Sequence, residues 1–362
     1  MDNRAYLLAL HQAPGIGGKI ARKLLDYFGD IKKLWGANVT EIEEVVPTQL
    51  ANAFVQYKKT VNIEKIYEHV ISSGCWFITS EDGDYPNLVK EIFNPPLVIF
   101  GKGNKEILSN QCLAIVGCRK PSYYGQQMAR KISSELTLSQ WTIVSGLAKG
   151  IDTCAHMGCL LQQGNTIAVL GSGVDIIYPK ENKKIYDEIT EKGAIISEYL
   201  PGTTPVPGNF PARNRIISGL SLGVLVVEAG EKSGALITAD FAMEQGRDVF
   251  ALPGMVTNPY AKGTHSLIKQ GAKLIEAATD IIQEYYPERL FYGNFGNSKN
   301  EQFISGVEKQ LLLLIEKQPL HIDEICFLAH KTIMEISPVL LQMEMKGLIK
   351  QLPGKIYSYM ID

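Results

Sequence analysis

Residues 112–171 read CLAIVGCRKPSYYGQQMARKISSELTLSQWTIVSGLAKGIDTCAHMGCLLQQGNTIAVLG. Three short apolar runs, Cys112–Gly117, Trp141–Gly146 and Thr166–Gly171, each end in glycine, and helical patterns near 124–138 and 151–163 lie between them. Apolar strands without polar alternation are buried on both faces, and strands joined by helices point to a parallel, doubly wound sheet. The texture continues through Ala194–Tyr199, Leu222–Glu228, Asp248–Gly254 and Ala272–Glu276, with helices near 181–191, 235–245 and 264–270. The expected fold class is therefore α/β, with a mostly parallel sheet domain over residues 76–290. Ligands of such sheets bind outside the carboxyl ends of the strands. The loops after the strands are where function is to be sought.

The flanks read differently. Residues 1–75 look like short helices, with apolar residues at helical spacing through Tyr6, Leu7 and Leu10 and again through Ile20, Leu24, Leu25 and Phe28. Between them lies Pro14-Gly15-Ile16-Gly17-Gly18-Lys19. Helix, glycine turn, helix is the pattern of a helix-hairpin-helix unit, whose glycines let backbone approach a phosphate; a plain link between packed helices is the other reading. Residues 291–305 (FYGNFGNSKNEQFIS) read as a linker. Beyond it, Glu308–Lys317 and Ile322–Ala329 are helical, and a third helix is expected to open at Pro338 with Ser337 as its cap. The hairpin Leu348–Leu352 and Lys355–Tyr359 then makes 306–362 a winged-helix module.

The chain has 362 residues, of which 45% are hydrophobic, enough for two or three globular domains. Thirty-six Lys and Arg against 38 Asp and Glu give a net charge of −2, which taken alone argues against a nucleic-acid partner. Six cysteines show no CxxC pair, so a reduced, cytoplasmic setting is expected. The opening MDNRAYLLALHQAPG does not have the form of a signal peptide, and no run of about 20 apolar residues suggests a membrane span.

The strand-end loops carry Gly, Arg, Lys and Ser. They are Gly117-Cys118-Arg119-Lys120, then Ser145-Gly146-Leu147-Ala148-Lys149-Gly150, then Gly171-Ser172-Gly173 with Tyr178-Pro179-Lys180. Phe210-Pro211-Ala212-Arg213-Asn214-Arg215 ends a long loop, and Glu228-Ala229-Gly230-Glu231-Lys232-Ser233-Gly234 leads into a helix. Gly171-x-Gly173 lacks the third glycine of a dinucleotide fingerprint, since 176 is Ile, and no GxxxxGK[ST] occurs, so nicotinamide, flavin and ATP sites are unsupported and no cofactor is expected. What remains is a rim of backbone N–H groups and cations suited to anions. Of eight arginines, Arg119, Arg213 and Arg215 sit in these loops, where bidentate phosphate contacts are the natural use of guanidinium. Several anion sites along one rim suit a polymer of phosphates. Tyr123, Tyr124, Tyr178 and Phe210 are either stacking faces for bases or packing residues at the loop bases.

A catalytic centre is not evident. Asp152 and His156 share a helix face, read best as a capping Asp with a structural His, and neither has a metal-spaced partner. Glu228 ends a central strand, free for chemistry or paired with Arg213 or Arg215; Cys154 and Cys159 read as buried small hydrophobes.

The series VGCRKPSYYG, SGLAKGID, AVLGSGVDIIYPKEN, FPARNRIISGLS, VVEAGEKSGALITADFAMEQGRDVFALPG and KGTHSLIKQGA resembles the DNA-processing protein A family (DprA, also called Smf), in the same order over about 110–275. The resemblance implies an extended Rossmann-like domain between a sterile-alpha-motif-like or helix-hairpin-helix-like N-terminal domain and a winged-helix tail. It also implies single-stranded DNA binding in natural transformation, delivery to the recombinase RecA, a homodimer built on the Rossmann-like domain, and no catalytic activity. Carried over by motif, Arg119 and Lys180 contact DNA, the Gly171–Gly173 loop holds a phosphate, and Arg213 and Arg215 shape or line the groove. The expected DNA-contacting set is Gly117, Arg119, Ser145, Gly146, Lys149, Gly150, Gly171, Ser172, Gly173, Tyr178, Lys180, Phe210, Arg213, Asn214, Arg215, Ser233 and Gly234. The rival is a nucleoside-monophosphate phosphoribohydrolase of related fold, or a nucleotide-sensing module. Ala229–Leu236 lacks the PGGxGTxxE loop of the phosphoribohydrolases.

Charge distribution removes the force of the neutral balance. Residues 113–215 hold eleven basic against eight acidic side chains, and 216–290 hold six against nine. Residues 306–362 hold six against seven, and the third helix carries Glu344, so the tail is expected to contact protein or assist weakly.

Overall fold

The computed structural model describes residues 2–286, 306–315, 319–329, 331–345, 348–352 and 354–359. The expected linker 291–305 lies outside the described residues. The chain divides into two compact units, 1–292 and 293–362.

The first unit opens with six helices: α1 Asn3–His11, α2 Gly18–Phe28, α3 Ile31–Gly36, α4 Val39–Glu43, α5 Thr48–Thr60 and α6 Ile63–Ser72. Two strands unmarked in the sequence reading follow, β1 Trp76–Thr79 and β2 Val98–Gly103, with α7 Asn87–Lys90 between them. The core alternates β3 Cys112–Val116, α8 Tyr123–Leu138, β4 Thr142–Ser145, α9 Ile151–Leu161, β5 Thr166–Val169, α10 Lys183–Lys192 and β6 Ala194–Ser197. It ends α11 Asn209–Gly219, β7 Gly223–Val226, α12 Gly234–Glu244, β8 Asp248–Ala251, α13 Lys262–Lys269, β9 Lys273–Leu274 and α14 Ala278–Tyr285. Every expected strand is present. The long loop expected through 210–217 is instead helical, since Ile216 and Ile217 bury against the sheet and Arg213 and Arg215 find partners inside.

The nine strands lie in the order β1-β2-β6-β5-β4-β3-β7-β8-β9, parallel from β6 to β9, with β1 and β2 antiparallel. After β6 the chain crosses back over the sheet to place β7 beside β3, which creates a topological switch point at β3 and β7. Successive side chains alternate faces. Leu113 and Ile115 of β3 pack with α8, α9 and α14, while Ala114 and Val116 pack with α11 and α12. The N-terminal helices share one apolar cluster with Phe100 of β2, Ala168 of β5 and Ile195 of β6. No described helix is long and apolar enough to cross a membrane.

The second unit holds α15 Gly306–Ile315, β10 Leu320–His321, α16 Ile322–Ala329, α17 Ile333–Met345, β11 Ile349–Leu352 and β12 Ile356–Tyr359. The hairpin forms, and β10 adds a third strand on β12. Helix α17 starts five residues before the expected Pro338, which lies inside it. The start is set by Thr332, whose N–H and hydroxyl both donate to Glu335, and by Ile336, Leu340 and Met343, fully buried at helical spacing. The expected stop at Gly347 lies outside the described residues.

Candidate nucleic-acid interface

The strand-end loops gather around a cleft of about 670 Å³ lined from β3 (Gly117, Arg119), from α11 (Phe210, Asn214) and from the β7–α12 connection (Ser233, Gly234). A smaller recess joins Arg119 to Gly146, Lys149, Tyr178, Pro179 and Phe210. Most residues expected to act together thus do meet at the carboxyl ends of the central strands.

At the mouth of the recess, Tyr178 and Phe210 stand with ring centroids 5.4 Å apart, tilted by 35°. The Arg119 guanidinium carbon lies 5.9 Å from the centre of the Phe210 ring. Tyr178, Arg119 and Lys180 are exposed, and Arg119 and Lys180 have no ion-pair partner among the described residues. Lys149 is exposed too, but pairs with Glu181 at 2.6 Å, a contact that water screens. Tyr123 and Tyr124 open α8 and do not line the cleft; the Tyr124 hydroxyl donates to the Pro253 carbonyl.

Glycine is required here for space. A Cβ on Gly117 would meet Ile151 at 2.6 Å, and one on Gly146 would meet the Arg213 guanidinium at 2.5 Å. Gly150 has φ of +87°, and any side chain there would also strike the Cys118 carbonyl at 2.4 Å. Gly171 lies under the Phe210 ring, and the Gly173 N–H donates to Thr203 O. These loops therefore run close together, and part of their backbone is already bonded within the protein.

Two of the three loop arginines are not on the open rim. Arg213 is 5% exposed, and its Nη1 donates to the carbonyls of Gly146 and Val169, joining the ends of β4 and β5. Burial lowers its pKa to about 10, with Asp152 opposing the shift. Arg215 is held bidentately by Glu198, both bonds 2.6 Å, and its Nε donates to Asn94 O. Arg215 shapes the groove from behind, and Arg213 lines the cleft wall with most of its guanidinium turned to the protein's own carbonyls. Burial on a helix whose inner face is otherwise apolar explains the change from the sequence expectation. Ser145 and Ser172 are likewise buried, their hydroxyls donating to Ile115 O and Ile176 O.

Asp152 does not cap α9 as expected, since Gly150 holds the cap position; its carboxylate instead accepts from the N–H groups of Gly146 and Ala148, which folds the β4–α9 loop back on its helix. Burial raises its pKa, against the pull of Arg213 and these amides. His156 is fully buried, and its Nδ1 meets Thr166 Oγ1 at 2.7 Å. That hydroxyl donates onward to Ile143 O, so Nδ1 is the donor of the pair. Burial, then Arg213, lower the His156 pKa to about 3. Glu228 pairs with neither Arg213 nor Arg215. It accepts from the N–H and hydroxyl of Ser122, the cap of α8, and from Asn258. Ser122, three residues after Arg119, thus ties the start of α8 to the end of β7.

The glycine turn of the N-terminal helices is closed. The N–H of Lys19 donates to Asn94 Oδ1 at 3.0 Å, and a Cβ on Gly18 would fall 1.7 Å from Pro95 O. The amino end of α2 therefore docks on the chain's own loop. Sequence reasoning missed Asn182, whose buried amide ties Leu147 O to Thr153 Oγ1, and Glu198, the partner of Arg215. The YPKEN motif contained the first; nothing local marked the second.

The family model for DNA recombination-mediator protein A matches residues 76–286, and that for the DprA winged helix domain matches 302–355. The chain belongs to the DNA recombination-mediator protein A family. It is 35% identical over 393 aligned residues to Protein Smf of Synechocystis, covering 99% of each chain. It is 47% identical to DNA processing protein DprA of Streptococcus pneumoniae over 204 residues, 56% of this chain and 72% of the relative. The X-ray structure of that pneumococcal protein matches with a TM-score of 0.72 at 37% identity, covering 78% of this chain and 99% of the other. A Helicobacter pylori DNA processing protein A, whose structure is described by its single-stranded DNA binding mode, matches with a TM-score of 0.54 at 31% identity, covering 59% and 96%. The family match thus spans the sheet that carries the cleft and, separately, the winged helix.

Proposed function

We propose that this protein binds single-stranded DNA along the strand-end rim and passes it to the recombinase RecA during DNA uptake, as a cytoplasmic homodimer formed through its Rossmann-like domain. One observation carries the DNA reading: Arg119, exposed and without an ion-pair partner among the described residues, lies beside the Tyr178–Phe210 pair, and Lys180, likewise exposed and unpaired, follows Tyr178 by two residues in the chain. Cations for phosphates beside aromatic faces for bases are what sequence-tolerant single-strand binding needs. The narrow recess beside them suits unpaired bases better than a rigid duplex. Recombinase delivery and dimerisation are supported by family membership alone. A gel shift with one oligonucleotide, single-stranded and annealed, with and without RecA, tests the whole reading. Preferential single-strand binding and a supershift with the recombinase are expected. Equal affinity for the duplex, or single-strand binding unaltered in both Arg119→Ala and Lys180→Ala, would overturn the site.

A further inference from the structure

Beside the narrow recess lies the main cleft. Its volume of about 670 Å³ lies within the range of small-molecule sites, and its wide end sits at the switch point between the loops after β3 and β7. That end has its own chemistry. Helix α12 begins there, capped by Ser233, whose Oγ accepts from the Ala235 N–H; Gly234 is exposed, with nothing within 4 Å of where its Cβ would stand. Helix amino ends favour negative charge. Lys232 is exposed beside it and has no ion-pair partner among the described residues, whereas the nearby Glu231 is drawn to Lys262 at 3.4 Å and Glu228 is bonded to Ser122 and Asn258.

Two deeply buried polar groups point the same way. Thr238, one turn further along α12, is 1% exposed, lines the cleft, and has no hydrogen-bond partner among the described residues. Arg213, also lining the cleft, leaves its buried Nε without a partner. The Arg213 Nε–H is buried and costly to leave unmet, and the Thr238 hydroxyl sits unpaired on the cleft wall, where a ligand or water can meet it. Ile217, Ala235 and Tyr260 complete an apolar wall.

We propose that this wide end is a pocket for one terminal nucleotide, holding a phosphomonoester at the α12 amino end near Lys232 and Thr238 and the attached nucleoside against the apolar wall. A monoester carries close to two negative charges where an internal phosphodiester carries one, so an end is favoured over the middle of a strand. The same chemistry is offered by a phosphorylated strand end and by a free nucleoside monophosphate. For strand ends the inference rests on the single-stranded DNA reading; for the free nucleotide it does not.

The test uses the full chain and four probes: one oligonucleotide with a 5′-phosphate, with a 3′-phosphate or with hydroxyl ends, and thymidine monophosphate alone. At least one phosphorylated oligonucleotide is expected to bind about fivefold or more tighter than the hydroxyl form, and thymidine monophosphate to bind by calorimetry and abolish the preference. Thr238→Val and Lys232→Ala, each checked for an unchanged melting temperature, should remove the preference. Monophosphate binding that these substitutions weaken, with no end preference, assigns the pocket to the free nucleotide. Equal affinity for all three oligonucleotides and no monophosphate binding overturn the inference while leaving the DNA reading intact. A preference that survives both substitutions overturns it too. If no oligonucleotide binds, the DNA reading falls and the monophosphate arm alone decides.

Discussion

The strand-end rim and the outer surface of the winged helix expose opposite chemistry. The rim presents Arg119, Lys180 and the polar edge of Tyr178, backed by the buried Arg215–Glu198 ion pair. The winged helix presents Phe327, 77% exposed, with Met334 at 85% and Leu341 at 60%. Met334 and Leu341 are seven residues apart and so lie on one face of α17, opposite the buried Ile336, Leu340 and Met343. The third helix of a winged helix that reads duplex DNA carries cations; this one carries Met334, Glu335 and Leu341. Cations toward solvent serve a phosphate chain, whereas exposed apolar side chains serve protein contact. We accordingly propose DNA for the first surface and protein contact for the second.

The largest effect should come from behind the rim. Glu198→Ala leaves Arg215, whose side chain is 10% exposed, without its bidentate partner. Breaking a buried pair from one side costs about 3–5 kcal/mol. The melting temperature should fall by on the order of 10 °C. A drop below about 3 °C would mean that water reaches Arg215 and that the rim is less firmly built than the comparison requires. Arg215→Lys should not substitute, because a point charge cannot make the paired contact.

The front of the rim comes next. Arg119→Ala with Lys180→Ala should weaken single-stranded DNA binding about a hundredfold, or about 2.7 kcal/mol, at roughly equal cost for every sequence. The salt dependence should flatten, by a log–log slope of about 1.4 for two single-strand phosphate contacts. Phe327→Ser with Met334→Ser should leave DNA affinity within about twofold. If the two pairs of substitutions had equal effects, the division of labour between the surfaces would be wrong.

A smaller effect is expected from pH. The folded chain holds His156 near pKa 3, whereas the unfolded chain takes up that proton near 6.5. The stabilisation is therefore complete above about pH 6.5 and is lost as pH falls toward 3, at up to about 1.4 kcal/mol per pH unit. Asp152, whose pKa is raised by burial, works the other way, since the folded state accepts its proton first. His156→Gln should flatten denaturant-measured stability between pH 6 and 4, and an unchanged slope would show that another group controls it.

How much of this was legible depended on how local each signal was. Strands β3 to β9 were readable as short apolar runs between helical patterns, the first three of them ended by glycine, and a buried, structural His156 was legible from its helix, whereas the loop amides that Asp152 accepts from were not. Helix α11 was not, because a proline and two arginines within Phe210–Arg215 look like loop until Glu198 and the carbonyls of Gly146 and Val169 are known to wait for the guanidinium groups. Strands β1 and β2 were missed for a related reason: they are antiparallel additions at the sheet edge, separated by a proline-rich segment. The rim's composition was visible in the chain, but which of its three arginines face solvent was a tertiary fact.

Removing residues 306–362 should cost the least. That segment folds around its own core of Leu311, Ile325, Leu340 and Ile349, so its loss need not disturb the sheet. Its charge is near balance, six basic against seven acidic residues, and its exposed helix face is apolar, so it offers little to a phosphate chain. Single-strand affinity should then fall by less than about tenfold, under about 1.4 kcal/mol. A larger loss would break the comparison by making the winged helix a second DNA surface. If affinity survives while binding to a protein partner is lost in both the truncation and Phe327→Ser, the apolar face is the one that partner reads.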